Sequence, residues 1–583
     1  MRVILRYFNK KSIAFLPVCV ILIILQAYLE LKIPDYMSQM TKIIEGENAS
    51  VNAVIGPGCA MFVCALLSLI LCGISGYLIS GIAASLSCDL RSAVFKKTLD
   101  FSMEEMGRFG SASLITRCTQ DIQMIQVFFT TGLQMLIKAP FLAGIAIYKI
   151  SGKQSEWTIT TAVAILIIMI LTVAVIILCA PLMARTQLYS DELNGLAREH
   201  ISGIRVIHAF NSYDFHSRRF SVANENLSGV NRKTGTYVAL MMPGFVAVMF
   251  SLNLFIYVLG IGVVMNTPNA EKANITADMV AFSSYALQIV QAFLFLIQTI
   301  IMMPRTLVSS KRIGEVLETI PAITDGEGNV KTDLKGTVEF RNVSFRYPNS
   351  PEYVLKDISF TAGKGQTVAF IGATGSGKTT LMNLIPRFYD ATEGQILVNG
   401  VDVRDYRQKD LRNLLGYVPQ KSRLFTGTIA GNIAYGDNGR FSATLGEIQR
   451  AADIGQAREF IEQKPDGYDT KVQSGGSNFS GGQRQRLTIS RAICRDPEIF
   501  LFDDSFSALD FATDNRLRKT LRKTAGDATV LIVAQRIGTI RNADRIYVMD
   551  EGRIVGSGTH EELMNTCEIY MEIARTQLAE KAM

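Results

Sequence analysis

The first half of the chain alternates long apolar runs with polar intervals. The runs cover Ile13–Leu31, Val54–Ser85, Val127–Ile150, Trp157–Met183, Tyr237–Met265 and Met279–Met303. Each supplies about the 20 mainly apolar residues that a helix needs to cross bilayer hydrocarbon. The first follows Arg2, Arg6, Lys10 and Lys11, is too long for a signal-peptide core and lacks a small-residue cleavage site, so it is expected to stay as an anchor. Six crossings return the chain to its starting side. Two polar intervals, Ser85–Glu105 and Asp191–Arg232, contain few breakers and predict helices that continue well beyond the bilayer, with a return helix beginning at Ser113–Asp121. Their tips, near Phe101–Met106 and Asn211–Phe215, are the natural places to meet a cytoplasmic motor.

After about residue 305 the pattern changes. Leu317–Asn329 is short, turn-rich and polar. Beyond it, apolar segments shorten to strand length and charges become frequent. Val338–Phe340 and Val343–Tyr347 alternate like two strands, with Pro348 ending the second. The expected organisation is a membrane domain over 1–320, a linker over 321–335 and a soluble α/β domain over 336–583.

Composition refines this picture in three places. The net charge of +7 is not gathered into one stripe, so no nucleic-acid partner is expected. Basic residues crowd the intervals near 86–126 and 184–235, including Arg91, Lys96, Lys97, Arg205, Arg218 and Lys233. The loops near 35–53, 151–156 and 266–277 hold only Lys42, Lys153 and Lys272. Positive-inside bias therefore places the N-terminus, the long extensions and the α/β domain in the cytoplasm. Nine scattered cysteines without a C-x-x-C pair form neither a disulfide framework nor a zinc site. Glu30, Lys138 and Asp278 interrupt apolar runs, and each is expected near an interface with its charge snorkelling to water. Methionines such as Met241, Met242, Met249, Met302 and Met303 are read as packing.

The chemistry is concentrated in the last 250 or so residues. Thr367–Ile371 is an apolar strand, and Thr380–Leu384 continues a helix. Between them stands Gly372-Ala373-Thr374-Gly375-Ser376-Gly377-Lys378-Thr379. Strand, glycine loop and helix in this order cradle phosphate. Glycines let backbone N–H groups close on the oxygens, and the helix N-terminus adds its dipole. Lys378 reaches the β/γ phosphates, and the Thr379 hydroxyl suits Mg²⁺. The run Leu415–Gln420 places Gln420 at a strand end, where its amide could reach the metal or attacking water. Ser480-Gly481-Gly482-Gln483 opens another helix. Ile499–Phe502 is a buried-type strand ending in Asp503 and Asp504, of which Asp503 suits Mg²⁺. Val530–Val533 leads to Ala534-Gln535-Arg536, and Tyr347 offers an aromatic face for adenine.

Over nearly its whole length the sequence resembles ATP-binding cassette exporters in which six helices precede one nucleotide-binding domain. The resemblance rests on the Walker A loop Gly372–Thr379, the Ser480–Gln483 signature, the Walker B strand ending at Asp503 and the Ser507–Asp510 loop, in the family's order. It implies an α-helical membrane domain with long cytoplasmic extensions followed by an α/β P-loop NTPase domain, in the bacterial cytoplasmic membrane. It also implies MgATP held by Tyr347, Gly372, Thr374, Gly375, Ser376, Gly377, Lys378, Thr379, Thr380 and Gln420, with metal at Thr379, Gln420 and Asp503. Ser480, Gly481, Gly482 and Gln483 would close on nucleotide held by an opposite subunit, so the working unit contains two halves. Hydrophobic or amphiphilic small molecules are the substrate class the resemblance implies.

The departures sharpen that expectation. The family's general base is a glutamate where this chain has Asp504, and its switch histidine is replaced by Gln535. A carboxylate drawn back by roughly an ångström can lose about 10²-fold in rate, and an amide cannot carry a histidine's charge. Phe479 stands for the usual leucine, and Val472–Gly476 lacks the Glu-Arg pair often found there. The expectation is an ATP site that hydrolyses poorly, in a heterodimer with a non-identical half-transporter whose own site this chain's signature completes. A metal-chelate importer, a nucleotide-gated channel or regulator, and a membrane-tethered soluble P-loop enzyme remain alternatives. The long extensions speak against the last.

Overall fold

The computed structural model describes residues 2–46, 50–151, 155–328, 332–348, 350–436, 443–524 and 526–582. Lys153, and residues 329–331 of the expected linker, lie outside them. The chain divides into two compact units: Met1–Leu99 with Ser111–Thr319, and Asp100–Gly110 with Ile320–Met583.

Among the described residues, six helices are long and apolar enough to cross a membrane. Two come first, α1 (Lys10–Glu45) and α2 (Val51–Leu99). The extension expected to run unbroken over Ser85–Glu105 stops at Leu99, and a separate short helix follows, α3 (Met103–Phe109). The reason is local. Ser102 takes an extended conformation and forms a capping box, accepting from Glu104 N at 3.2 Å while its own N–H donates to Glu105 Oε2 at 2.8 Å. A residue so capped starts a helix and cannot continue one. Helix α3 belongs to the second unit, where Glu105 is 4 % exposed and accepts from Ala322 N at 2.9 Å. The second unit therefore consists of a main segment from Ile320 onward and this inserted piece, whereas the expectation was an unbroken membrane domain over 1–320.

The remaining crossings are α4 (Ser111–Ile150), α5 (Ser155–Ala209), α6 (Tyr213–Met265) and α7 (Asn269–Glu318). The 55 residues of α5 reach roughly 80 Å at 1.5 Å per residue, against ~30 Å of hydrocarbon. Much of α5 therefore extends beyond the membrane, as its polar half requires. The α5–α6 turn falls at 210–212, beside the expected tip. Helix α4 contains two π-helical turns, Arg117–Asp121 and Phe128–Gly132. Both charged side chains of the first turn engage α7. Arg117 donates to Arg312 O and pairs with Glu315 at 3.1 Å; Asp121 accepts from Ser309 at 2.8 Å and lies 3.4 Å from Arg312. The membrane core is built where the helices meet, with Ala27, Leu142, Trp157, Phe245 and Phe282 among its buried residues.

Snorkelling, the expectation for Glu30 and Lys138, is not what the fold does. Lys138 Nζ lies 2.8 Å from Glu30 Oε1, and the same oxygen accepts from Ser68 Oγ at 3.3 Å. Ser68 stands near the middle of its apolar run, and so does Lys138. The pair is therefore deep, and mutual neutralisation plus hydrogen bonding offsets the desolvation that each charge would suffer alone. Asp278 lies elsewhere, in the third turn of α7.

In the second unit, the two short strands expected at its start are one, β1 (Val338–Phe345), with irregular register between Phe340 and Phe345. It pairs with β2 (Leu355–Ala362) and β4 (Glu393–Val398), and β5 (Val401–Asp402) completes a four-stranded antiparallel sheet. A six-stranded sheet carries the chemistry. Its order is β10-β9-β3-β8-β7-β6, from β3 (Thr367–Gly372), β6 (Leu415–Val418), β7 (Ile499–Asp503), β8 (Thr529–Val533), β9 (Arg545–Asp550) and β10 (Arg553–Gly558). All its pairings are parallel except β9 with β10. Strands β7 and β8 are buried throughout, which explains their uninterrupted apolar sequences. Three helices complete the frame needed below: α8 (Lys378–Leu384), α9 (Gly481–Cys494) and α10 (Phe511–Thr524).

Candidate nucleotide site

Four adjacent parallel strands deliver the site. β3 ends in Gly372, β8 at Val533, β7 at Asp503 and β6 at Val418, so the glycine loop, Gln535, the two aspartates and Gln420 all leave the same carboxyl edge. That edge is where open α/β sheets bind ligands. The loop between β3 and α8 requires glycine where it turns. Gly377 has φ +95°, and a Cβ there would come 2.6 Å from the Leu355 side chain. Gly372 has a carbonyl neighbour, Met549 O, only 2.0 Å from where a Cβ would stand. Ala373, Thr374 and Gly375 are exposed, whereas Ser376, Lys378 and Thr380 are buried. The result is an open concave rim over a fixed floor.

Lys378 Nζ donates to Gly372 O at 2.9 Å, Ala373 O at 2.7 Å and Ser376 Oγ at 3.0 Å, which holds the ammonium under the loop. Burial pushes the Lys378 ammonium below the ordinary lysine range, while Asp504 and Asp503 oppose that shift. Thr379 Oγ1 donates to Asp503 Oδ1 at 2.9 Å. Burial raises the Asp503 carboxyl above the usual range, with the Thr379 hydrogen bond pulling the other way. Among the described residues no group of three or more His, Cys, Asp and Glu side chains could hold a metal. One hydroxyl and one carboxylate, completed by phosphate oxygens and water, do match the way Mg²⁺ is bound at nucleotide sites. The residues fit MgATP.

Beside this grip lies the hydrolytic end. Asp504 is 8 % exposed and has φ +48°, and its N–H donates to Val533 O at 3.0 Å. Gln535 Nε2 donates to Asp504 Oδ2 at 2.9 Å, and Gln420 Nε2 lies 3.5 Å from the same oxygen. Burial raises the Asp504 carboxyl as well, opposed by Gln420, Lys378 and Arg536. The two positions singled out as unusual in the sequence are thus hydrogen-bonded partners. Tyr347 is half-buried, with its hydroxyl 2.9 Å from Thr380 Oγ1 and its ring perpendicular to Tyr389 at 5.2 Å. That contact ties the expected base-stacking residue to the first turn of α8.

Ser480, Gly481, Gly482 and Gln483 are set apart from this cluster. Ser480 Oγ accepts from Gln483 N at 3.3 Å and Gln483 Oε1 accepts from Ser480 N at 3.1 Å, a capping box that starts α9. Ser480 and Gly481 are exposed, and Phe479 beneath them is buried in a local core with Leu424 and Leu487. The four residues bond to no glycine-loop residue among those described. Two supporting groups escaped the sequence reading. Ser505 Oγ ties the turn after β7 to Val418 O at 2.9 Å, a contact across 87 residues with no local signature. Glu105 had a visible one, the Ser102-x-x-Glu105 spacing of a capping box.

A phosphate-cradling loop beside a carboxylate-tipped strand, in one chain with six membrane-crossing helices, defines a multi-pass membrane protein powered by a nucleotide triphosphate. The family described as ABC transporter matches residues 355–507, and the ABC transporter transmembrane region matches residues 16–293. An uncharacterized ABC transporter ATP-binding protein of Mycobacterium tuberculosis is 39 % identical over 512 residues, 87 % of each chain. The ATP-dependent lipid A-core flippase of Pseudomonas aeruginosa is 32 % identical over 519 residues, covering 87 % of this chain and 83 % of its own. A solved bacterial Atm1-family ABC exporter with ATP bound superposes with a TM-score of 0.79 at 23 % identity, over 98 % of this chain and 99 % of its own. The chain belongs to the ABC transporter family, as a half-transporter with the exporter fold, and its ATPase domain is of the kind coupled to transport.

Proposed function

We propose that this half-transporter moves hydrophobic or amphiphilic small molecules outward across the cytoplasmic membrane, as one subunit of an asymmetric heterodimer whose own ATP site hydrolyses poorly. The observation that carries the asymmetry is the Gln535–Asp504 hydrogen bond of 2.9 Å. At the position from which a general base must accept a proton from water, the carboxylate is short, buried and already occupied by an amide donor. An amide in place of an imidazole also removes a group able to hold positive charge beside the reacting phosphate. Binding needs none of this. Lys378, Thr379 and Asp503 retain the arrangement that positions phosphates and a divalent cation, and phosphoryl transfer depends mainly on such positioning and charge neutralisation. Mg²⁺, when bound, would neutralise charge on the phosphate oxygens.

The exposed signature at Ser480–Gln483 supports the reading that this chain completes a site on a partner. The flippase relative acts on an amphiphile by its name, which supports the substrate class. The second half-transporter is expected to carry a glutamate and a histidine where this chain has Asp504 and Gln535. The test is to purify the chain alone and with that partner, and to measure nucleotide retention and substrate-stimulated phosphate release. The proposal expects ATP retention by the single chain, and full stimulated hydrolysis only in the mixed pair. Full transport-coupled hydrolysis by the chain with copies of itself would overturn it.

A further inference from the structure

The ion pair deep in the membrane unit is surrounded by unused hydrogen-bonding capacity of both kinds. Glu30 Oε1 accepts from Gln26 Nε2 at 3.0 Å, Ser68 Oγ at 3.3 Å and Lys138 Nζ at 2.8 Å. All three donors converge on one oxygen. The other, Oε2, has no partner among the described residues, and the Glu30 side chain is 26 % exposed. Gln26 is only 3 % exposed, and its Oε1 is buried without a partner; so is Oε1 of Gln288, whose amide nitrogen lies 3.5 Å from Glu30 O. Glu30 Oε2 and the Oε1 atoms of Gln26 and Gln288, on α1 and α7, are thus without partners among the described residues. The Lys138 ammonium has Glu30 as its one partner among the described residues and is 17 % exposed, so N–H donors remain open as well.

Unsatisfied polar atoms in an apolar surrounding are unfavourable, because each has lost water without gaining a partner. Ionisable groups at membrane depth are expensive and mark substrate pathways. A ligand able to relieve this arrangement must bring donors to Glu30 and the two glutamine carbonyls, and an acceptor to Lys138. A lone cation or anion would leave a net charge at depth; a zwitterion would not. The immediate neighbours Ala27, Leu31, Ala139, Leu142 and Ile289 are buried and apolar, which suits an apolar body beside the charged head.

We propose that Glu30, Lys138, Gln26 and Gln288 form a recognition subsite for a zwitterionic amphiphile. Its primary ammonium binds Glu30 and the glutamine carbonyls, and its anionic group binds Lys138. The inference rests on the reading of the chain as a transporter of amphiphiles and names the headgroup chemistry. The same chemistry occurs in a zwitterionic phospholipid and in an amphiphilic amino acid arriving from water.

The test measures ligand-induced shifts in thermal unfolding of the full chain in neutral detergent, without nucleotide. The probes are lysophosphatidylethanolamine, 2-aminotetradecanoic acid with its primary ammonium and carboxylate, dodecylamine, and lysophosphatidylglycerol. The primary zwitterion is expected to bind about tenfold more tightly than either singly charged probe, the size of effect that charged hydrogen bonds supply. E30Q should abolish its advantage over the anion, and K138Q its advantage over the cation. Q26L, which spares the ion pair, should weaken ammonium-bearing probes severalfold and leave the anion unaffected. Equal strengthening by 2-aminotetradecanoic acid supports a water-borne source, whereas response to the lysolipid alone supports a bilayer source. Equal binding of all four probes, or variants that weaken every probe alike as a purely structural clasp would, overturns the subsite. Binding is read without transport, so a failed transport assay would sink the broader function and leave this result standing.

Discussion

The two ends of the nucleotide site, which meet at the adjacent residues Asp503 and Asp504, have opposite characters. At the gripping end, Lys378 makes three hydrogen bonds at 2.7–3.0 Å and Thr379 holds Asp503 at 2.9 Å, so charge and hydroxyl stand where phosphate and metal would meet them. At the hydrolytic end, Asp504 is engaged by Gln535 and approached by Gln420, so the oxygen that would take a proton faces amide donors. On the proposed reading, holding a nucleotide and cleaving it are separable demands on one sheet edge. A loop and a lysine meet the first. The second turns on one methylene and one ring.

The comparison can be broken most directly at Lys378. K378A should reduce nucleotide affinity of the chain about 100-fold, because a charged donor to phosphate is worth roughly 2–3 kcal/mol; titration with a fluorescent nucleotide checks it. Retained affinity would mean that the gripping end lies elsewhere. At the other end, D504E extends the carboxylate toward the reacting water and should raise ATP hydrolysis in the assembled pair about tenfold, within the range that an ångström of misplacement commands. Phosphate-release assays would show an unchanged rate if Asp504 is not the base position. Q535H should add a smaller gain, about threefold alone, as a positioned proton-carrying group replaces an amide; steady-state assays across pH 6–8 read it.

The smallest expected effect lies outside the site, at Glu105. Burial alone would raise its carboxyl, but hydrogen bonds from Ser102 and from the Ala322 N–H outweigh it and hold the group below the usual carboxylate range. A depressed folded value means that its stabilisation is present above the unfolded value near 4.5 and is lost as pH falls through the lower folded value. Wild type should exceed E105Q by about 1 kcal/mol at pH 6, with the gap closing as pH drops below about 4.5. Thermal unfolding of both proteins over pH 3.5–6 checks the direction.

The sequence by itself determined the grip and its unusual neighbour. Gly372–Thr379, Asp503, Asp504 and Gln535 are legible because phosphate recognition uses contiguous residues at strand ends, and a strand buried on both faces must be uniformly apolar, as Ile499–Phe502 is. The six crossings were legible for the same reason, since a lipid-facing helix has to be apolar along about 20 residues. Tertiary structure alone decided what pairs across distance. No local pattern joins Glu30 to Lys138, 108 residues on, or Glu105 to Ala322, 217 residues on, because such contacts follow from how helices pack and not from any period within them. Read one helix at a time, Glu30 and Lys138 looked like snorkelling residues. Packed together, they neutralise each other at depth and leave the open acceptors that distinguish this membrane core.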